Sequence, residues 1–439
     1  MISYLKRLKI KGLYGHYNYD IMFNATQRIK ILIGPNGYGK TTILKIMYHI
    51  MNRDYWYFNL LIFRDIIVEF NDSVKVHIYK TGGELDLFGT TGNGEITESC
   101  FSLIDERENK DGRVNTFILS KNYILRKVRR VTSAYRTIDS MQNIDFEDIL
   151  NRNYVFAEDE FLPEGHKTLS DFLKTQKCLF VKEQRVQYEG LHSRYERYVV
   201  NKYNVDKIAG DLKAVLSYYQ NDYIEKCQKI DSEFVGNLLS LDDKNKNLDK
   251  SSYEQFVDQL KGILETYQEY GLATDLKIDY RYDERYGTVL YQYISDMIEK
   301  INAYKELWLR LSSFDKILKS KEFANKQMKI NAKEGLVAQD MDTNSPIPLH
   351  KLSSGEQNLI ILYFYLLFKT TPDMTICLDE PENSLHVAWQ ETMLTDLRTI
   401  ADVLKLQIIV ATHSVDFVNG NWGDCFDLFE GMKKNVNEL

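Results

Sequence analysis

A chain of 439 residues that is 44% hydrophobic and 27% charged can bury one large core or two ordinary ones, and this composition excludes a disordered polypeptide. A net charge of -7 argues against a surface built globally for nucleic acid, although a local basic patch could still bind it. Five cysteines with no CxxC pair and no secretory signal point to a reducing cytosol and away from a cysteine-held metal; the longest apolar run, Leu359 to Phe368, is too short to cross a bilayer.

Residues 1 to 23 read as strand, turn and strand: Leu5, Leu8 and Ile10, then Gly12-Leu13-Tyr14-Gly15, then Tyr17, Tyr19, Ile21 and Phe23. The run Ile29 to Ile33 predicts another strand, and Ile43, Leu44, Met47 and Ile50 carry helical spacing. Between them Gly34-Pro35-Asn36-Gly37-Tyr38-Gly39-Lys40-Thr41 is a complete phosphate-binding loop, followed by Thr42. The three glycines let the backbone turn its amides onto the β- and γ-phosphates, and the helix N-terminus adds positive potential. Lys40 supplies a point charge to the phosphates, and the Thr41 hydroxyl suits Mg²⁺.

The middle of the chain carries weaker signals. Lys121, Arg126, Lys127, Arg129, Arg130 and Arg136 alternate with apolar residues, as in an amphipathic helix whose polar face meets phosphate, an acidic protein or only solvent. Cys178 to Val186 reads as a strand with a polar end at Gln184 and Arg185. Three runs then step by three or four: Ile208, Leu212, Val215, Tyr219, Tyr223, Cys227, Ile230 and Phe234; Tyr253, Phe256, Leu260, Ile263 and Tyr267; and Leu290 through Ile294, Met297, Ile301, Tyr304 and Trp308 to Leu311. They predict packed antiparallel helices with breaks near Asp242 and Arg281. Sustained heptads are missing, so a helical arm or lobe is expected rather than a long zipper.

Leu352-Ser353-Ser354-Gly355-Glu356-Gln357 precedes an apolar helix from Leu359 to Phe368. Ser354 and Gly355 would offer a hydroxyl and a bare amide at a helix N-terminus, an anion site; Ser354 and Gln357 could also form a capping box, and both can hold at once. Met374 to Glu380 is an apolar strand ending in two acids. Asp379 fits the water shell of Mg²⁺, and Glu380 fits a base that polarises the attacking water. His413 follows a strand from Gln407 to Thr412, where it is either a structural residue or a γ-phosphate sensor.

This order of phosphate loop, signature, Asp-Glu pair and Thr-His-Ser switch resembles the ATP-binding-cassette ATPases. The resemblance implies a homodimer in which Ser354, Gly355 and Gln357 of one subunit close over ATP and Mg²⁺ held by Lys40, Thr41 and Asp379 of another. From Lys40 to Ser354 the chain runs for about 310 residues, far more than one lobe needs. Such an insertion is similar to the RecF, SMC and OLD-like branch, in which a Gln at the arm's entry touches Mg²⁺ or the attacking water; Gln184 takes that place here, or is a surface residue at a strand end. The stretch Asp379-Glu380-Pro381-Glu382-Asn383-Ser384-Leu385-His386, with Trp389-Gln390, resembles AAA/OLD-type ATPases of bacterial anti-phage systems, PARIS first and Septu next.

The expected architecture is an α/β ABC-ATPase head, a mixed sheet with a phosphate-loop helix, carrying a large α-helical insertion. Residues 1–185 form the first half of the head with an inserted segment at 81–175, residues 186–325 the arm, and residues 326–439 the second half. The chain runs from His413 only to Leu439, too short for the nuclease domain of OLD proteins. The resemblance therefore implies an ATPase that senses a phage protein or nucleic acid and controls a separate effector, a nuclease encoded nearby. It would do so in the cytosol with no membrane, as a dimer alone or within a larger assembly. A DNA clamp of the RecF and SMC type is the alternative.

Overall fold

The computed structural model describes residues 4–24, 27–55, 57–71, 74–81, 98–105, 115–119, 169, 171–181, 204–240, 249–272 and 281–436. Gln184, Arg185 and the basic segment from Lys121 to Arg136 lie outside the described residues. The chain forms two compact units, one from its two ends and one from the stretch between about residues 198 and 369.

In chain order the first unit contains β1 (Leu5–Leu13), β2 (Tyr17–Met22), β3 (Ile29–Ile33), α1 (Lys40–Met51), α2 (Tyr57–Leu60), β4 (Asp65–Phe70), β5 (Val74–Thr81), β6 (Glu98–Asp105), β7 (Asn115–Leu119) and β8 (Cys178–Val181). The second unit follows with α3 (Asn204–Leu239), α4 (Lys250–Gln268), α5 (Gly287–Asn302), α6 (Lys305–Ser320), β9 (Lys326–Asn331), β10 (Gly335–Asp340), β11 (Pro346–Ile347) and α7 (Ser354–Phe368). The chain then returns to the first unit with β12 (Thr375–Asp379), α8 (Val387–Leu404), β13 (Gln407–Ala411), α9 (Val415–Val418), β14 (Cys425–Asp427) and α10 (Leu428–Val436).

Two sheets build the first unit. One is antiparallel in the order β2-β1-β4-β5-β6-β7; the other is parallel in the order β14-β3-β13-β12-β8. Strict alternation would place Leu5 and Leu8 on opposite faces of β1, yet both are fully buried. The pairing of β1 with β4 shifts register between Leu5 and Arg7, and that irregularity brings them to one side. In the parallel sheet every residue of β12 is buried, as expected for a strand with a neighbour on each edge and cover on both faces. Helix α1 lies in the core that the two sheets share: Ile43, Leu44, Met47 and Ile50 cluster with Leu8, Ile10 and Ile66 and with Leu32, Cys377 and Ile409. Each such fully buried side chain contributes roughly 1.5–3 kcal/mol relative to exposure, so the phosphate loop is anchored at both ends by core.

In the second unit α3 runs for 36 residues and buries Val205, Ile208, Leu212 and Leu216. It packs on β10, α5 and α7. Gly335 opens β10 with φ 78°, and a Cβ there would lie 2.1 Å from the Ala209 carbonyl oxygen of α3, so only glycine admits this approach. Two expected stripes are corrected. On α4 the buried face is Tyr253, Val257, Leu260, Leu264 and Tyr267, while Phe256 and Ile263 are 37% and 40% exposed. Residues one apart at the edge of a stripe satisfy the same spacing, and only the neighbouring helix selects between them. The run from Leu290 to Leu311 is two helices, broken between Asn302 and Lys305, where buried Tyr304 stacks on Tyr223 at 4.5 Å and meets the Tyr267 ring edge-on at 5.8 Å. Tyrosines thus hold the helices together.

Helix α7 is buried almost all round and packs on α3 and α6, and Arg310 Nη1 of α6 donates to the Leu367 carbonyl. The signature helix therefore belongs with the helical unit. The division falls near residue 369 and not at 325, because the apolar faces of α7 are covered by the helices of the insertion.

Candidate active site

The end of β3 and the start of α1 shape the phosphate loop. Gly37 and Gly39 have φ of 85° and 83°. A Cβ on Gly39 would also sit 3.1 Å from Leu13 Cδ2, so the turn needs glycine both for its dihedral and for its packing. Gly39 is the N-cap of α1, and no side chain caps the first turn, which leaves helix amides for an anion. A cavity of about 550 Å³ opens here, lined by Tyr14, Asn36, Gly37, Gly39, Lys40, Thr41, Thr42, Asp379, Glu380, Asn383 and His413. Gly34 and Pro35 do not line it: their carbonyls accept from Lys40 Nζ at 2.9 and 3.4 Å. Tyr38 turns its ring toward Tyr17 and Phe429, and its carbonyl accepts from the Tyr19 hydroxyl at 2.8 Å.

Lys40 is 6% exposed, and burial lowers the pKa of its ammonium against the pull of Glu380, Asp379 and Glu382. Its Nζ lies 2.5 Å from His413 Nε2. The ammonium can only donate, so His413 Nε2 accepts this hydrogen bond in its unprotonated form. Burial, and then the Lys40 charge, hold His413 below the ordinary imidazole range. Lys40→Ala should therefore raise the His413 pKa back toward 6.5, a shift that imidazole NMR titration measures; an unchanged or lower value would contradict the contact.

Parallel pairing of β12 with β13 places the two acids beside the switch residue. Asp379 ends β12 and accepts from Thr41 Oγ1 at 2.9 Å. Glu380 leaves the strand with φ 47°, its amide donating to the Ala411 carbonyl at 2.9 Å, and its Oε1 reaches within 3.2 Å of His413 Nε2. A glutamate in the left-handed region costs about 1–3 kcal/mol, and this backbone turn aims the carboxylate into the cavity and not along the strand. The Thr41 hydroxyl and the Asp379 carboxylate form an adjacent pair of hard oxygen donors on the cavity wall, which fits Mg²⁺ held by few protein ligands together with phosphate. Gln184, the third expected metal contact, is outside the described residues.

The signature lies in the other unit. Its cap is Ser353 with Glu356 and not Ser354 with Gln357: Ser353 is extended, its hydroxyl accepts from the Glu356 amide, and the Glu356 carboxylate accepts from the Ser353 amide at 2.7 Å. Ser353 and Glu356 have the same capping-box spacing as Ser354 and Gln357, and use of the first pair starts the helix one residue earlier than expected. Ser354 is thereby released from capping and is exposed. Gln357 is 5% exposed and its Nε2 donates to the His350 and Leu352 carbonyls at 3.0 and 2.7 Å, so its amide holds the loop and is not presented to a ligand.

Two cavity residues were not among the expected set. Tyr14, at φ 52° in the turn between β1 and β2, places its hydroxyl 2.6 Å from Thr42 Oγ1, and Asn383 follows the acid pair. The glycines flanking Tyr14 signal a forced turn, but nothing in the sequence says which loop it meets.

A family model described as an AAA ATPase domain matches residues 4–418. No curated protein matches the chain. Among solved structures, an Smc head bound to the C-terminal winged-helix domain of ScpA is 12% identical, with 97% of this chain and 93% of that chain covered and a TM-score of 0.37. An Smc head with an extended coiled coil, bound to a ScpA domain from Pyrococcus furiosus, is 14% identical over 100% and 98%, with a TM-score of 0.36. The SMC head domain from Thermotoga maritima is 12% identical over 94% and 90%, with a TM-score of 0.30.

Proposed function

Since this chain belongs to the family of AAA ATPase domains, we propose that it binds ATP with Mg²⁺ in the cavity at the phosphate loop and hydrolyses it to ADP and phosphate. The observation that carries the reading is the convergence, on one cavity wall, of the Lys40–His413 contact, the Thr41–Asp379 pair and the Glu380 carboxylate beside them. Lys40 and the loop amides hold the phosphates. Mg²⁺, when bound, supplies charge that neutralises the phosphate oxygens, and Thr41 and Asp379 are the residues that would hold it. Glu380 orients and deprotonates the attacking water. His413 senses the γ-phosphate: phosphate drawn onto Lys40 would free the imidazole for a new partner.

Turnover is proposed to need a second subunit whose signature, led by the exposed Ser354 and followed by the buried Gly355, closes over the nucleotide. The helical unit gives the ATPase its specificity, since the cavity has little room to encode a target. The motif from Asp379 to His386 supports an anti-phage role in which the ATP cycle of a dimer, alone or within a larger assembly, controls a separate effector such as a nuclease. Among the described residues no helix is long and apolar enough to cross a membrane.

Mg²⁺-dependent phosphate release by the purified chain tests the catalytic part. The parental protein should turn over ATP, and Lys40→Ala should lose nucleotide binding by about tenfold or more, the loss expected for a charge-assisted phosphate contact of about 1.5–3 kcal/mol. ATP binding by Lys40→Ala at parental affinity would reject this site. Tight, salt-sensitive binding to duplex DNA without a partner would replace the effector-control reading with that of a DNA clamp.

A further inference from the structure

Behind the cavity, four side chains form a hydrogen-bonded circuit that none of the roles above uses. Glu382, in the turn after the acid pair, is 3% exposed, and its Oε1 accepts from Thr412 Oγ1. Thr412 is fully buried; its hydroxyl oxygen accepts from the Ser414 amide at 2.9 Å, and its own amide donates to the Leu32 carbonyl at 3.1 Å, in the strand that feeds the phosphate loop. Ser414 Oγ donates to Gln390 Oε1 at 2.8 Å, and Gln390 Nε2 donates to the Leu385 carbonyl at 3.1 Å. The Leu385 amide donates to the Glu382 carbonyl at 3.0 Å. The path therefore leaves the acid turn at Glu382 and returns to it at Leu385.

His413 lies between two members of the circuit along the chain. Thr412 and Ser414 flank it, so both ends of its backbone are tied to the turn that also carries Glu380. A buried carboxyl is a costly way to fill space, and Glu382 Oε2 has no hydrogen-bond partner among the described residues. Burial raises the pKa of this carboxyl, against the Thr412 hydroxyl and the amides of Glu382, His413 and Ser414. A leucine would occupy the volume without that cost. What an apolar residue cannot do is specify a single register between two loops, which directional hydrogen bonds in a dry setting can.

We infer that Glu382, Thr412, Ser414 and Gln390 are positioning residues that lock the His413 imidazole and the Glu380 carboxylate into one geometry, so that ATP turnover depends on the circuit while ATP binding does not. The inference rests on the ATPase reading for its kinetic consequence, but the geometry it asserts can be read without nucleotide.

The test compares, in the full chain, Thr412→Val, which keeps the shape and deletes the hydroxyl, with Thr412→Ser, which keeps the hydroxyl. Thr412→Val should lower kcat by about 10²-fold, the scale of a misplacement near 1 Å, and Thr412→Ser should retain most of the rate. ATP affinity should stay within about threefold of the parent in both, the mark of an interaction used only in the transition state. In nucleotide-free protein the His413 imidazole resonances, assigned with His413→Gln, should move in the valine variant and hold in the serine variant. If Thr412→Val hydrolyses like the parent, or loses affinity in proportion to rate, the circuit does not position the site. If the parental chain releases no phosphate from ATP, the ATPase reading fails by itself, and unmoved His413 resonances in Thr412→Val would then overturn the circuit separately. Should Thr412→Val fail to fold, Gln390→Ala, at a half-buried position, should move the same resonances through Ser414, and their constancy would overturn the inference.

Discussion

Glu380→Gln is expected to bind ATP as tightly as the parental chain and to hydrolyse it about 10²–10⁴-fold more slowly, a barrier increase of roughly 3–5 kcal/mol. The substitution is isosteric, and the left-handed backbone at residue 380, with its amide bonded to the Ala411 carbonyl, places the same demand on either side chain. Folding and the shape of the cavity should therefore be preserved. What changes is the chemistry: an amide cannot take the proton of the attacking water. Lys40, Thr41 and Asp379 are left as they were, so phosphate and Mg²⁺ contacts survive. Single-turnover phosphate release, with ATP binding measured on the same preparation, separates the two effects. Parental hydrolysis by Glu380→Gln would show that another group serves as the base.

Ser354→Arg should abolish turnover, by about 10²–10³-fold, the scale seen when one hydrogen-bond donor to a developing oxyanion is removed, while each subunit still binds nucleotide. The structure makes this substitution safer for the fold than the pattern alone suggests. Ser353 and Glu356 cap α7, and Ser354 takes no part in that cap. An arginine in the first turn opposes the helix dipole by about 0.3–1 kcal/mol, which α7, buried almost all round, can absorb. The loss should arise instead from a bulky cation on the face proposed to meet a neighbour's γ-phosphate. Mixing Ser354→Arg with Lys40→Ala subunits should restore about one working site per mixed dimer, assembled from the intact halves of opposite chains. A verified mixed dimer without recovered activity would reject the arrangement in trans.

Several features of the molecule are local, and for that reason legible in its residues. A strand ending at Ile33, glycines at 37 and 39 and the apolar spacing of α1 specify the phosphate loop within 20 residues of chain, because left-handed backbone and helical periodicity are properties of the segment itself. The buried strand that ends at Asp379 just before Glu380, and the strand before His413, are legible for the same reason. Gly12 to Gly15 marks its own turn.

Tertiary structure alone decided everything that depends on which segments meet. Phe256 and Ile263 obey helical spacing and are still exposed, because α4 meets its neighbours one residue further round. Gln357 stands in the right motif but is turned inward by the carbonyls of its own loop. The insertion does not close before the signature; α3 and α6 cover α7, whose sides are apolar on every face and could not stand in water. Thr412 and Glu382 are 30 residues apart, and nothing in either segment announces the other. Their contact follows from the sheet order that sets β13 beside β12 and β3. Periodicity and turn chemistry are written along the chain, whereas the partner of a buried polar group is fixed by packing between segments far apart in sequence.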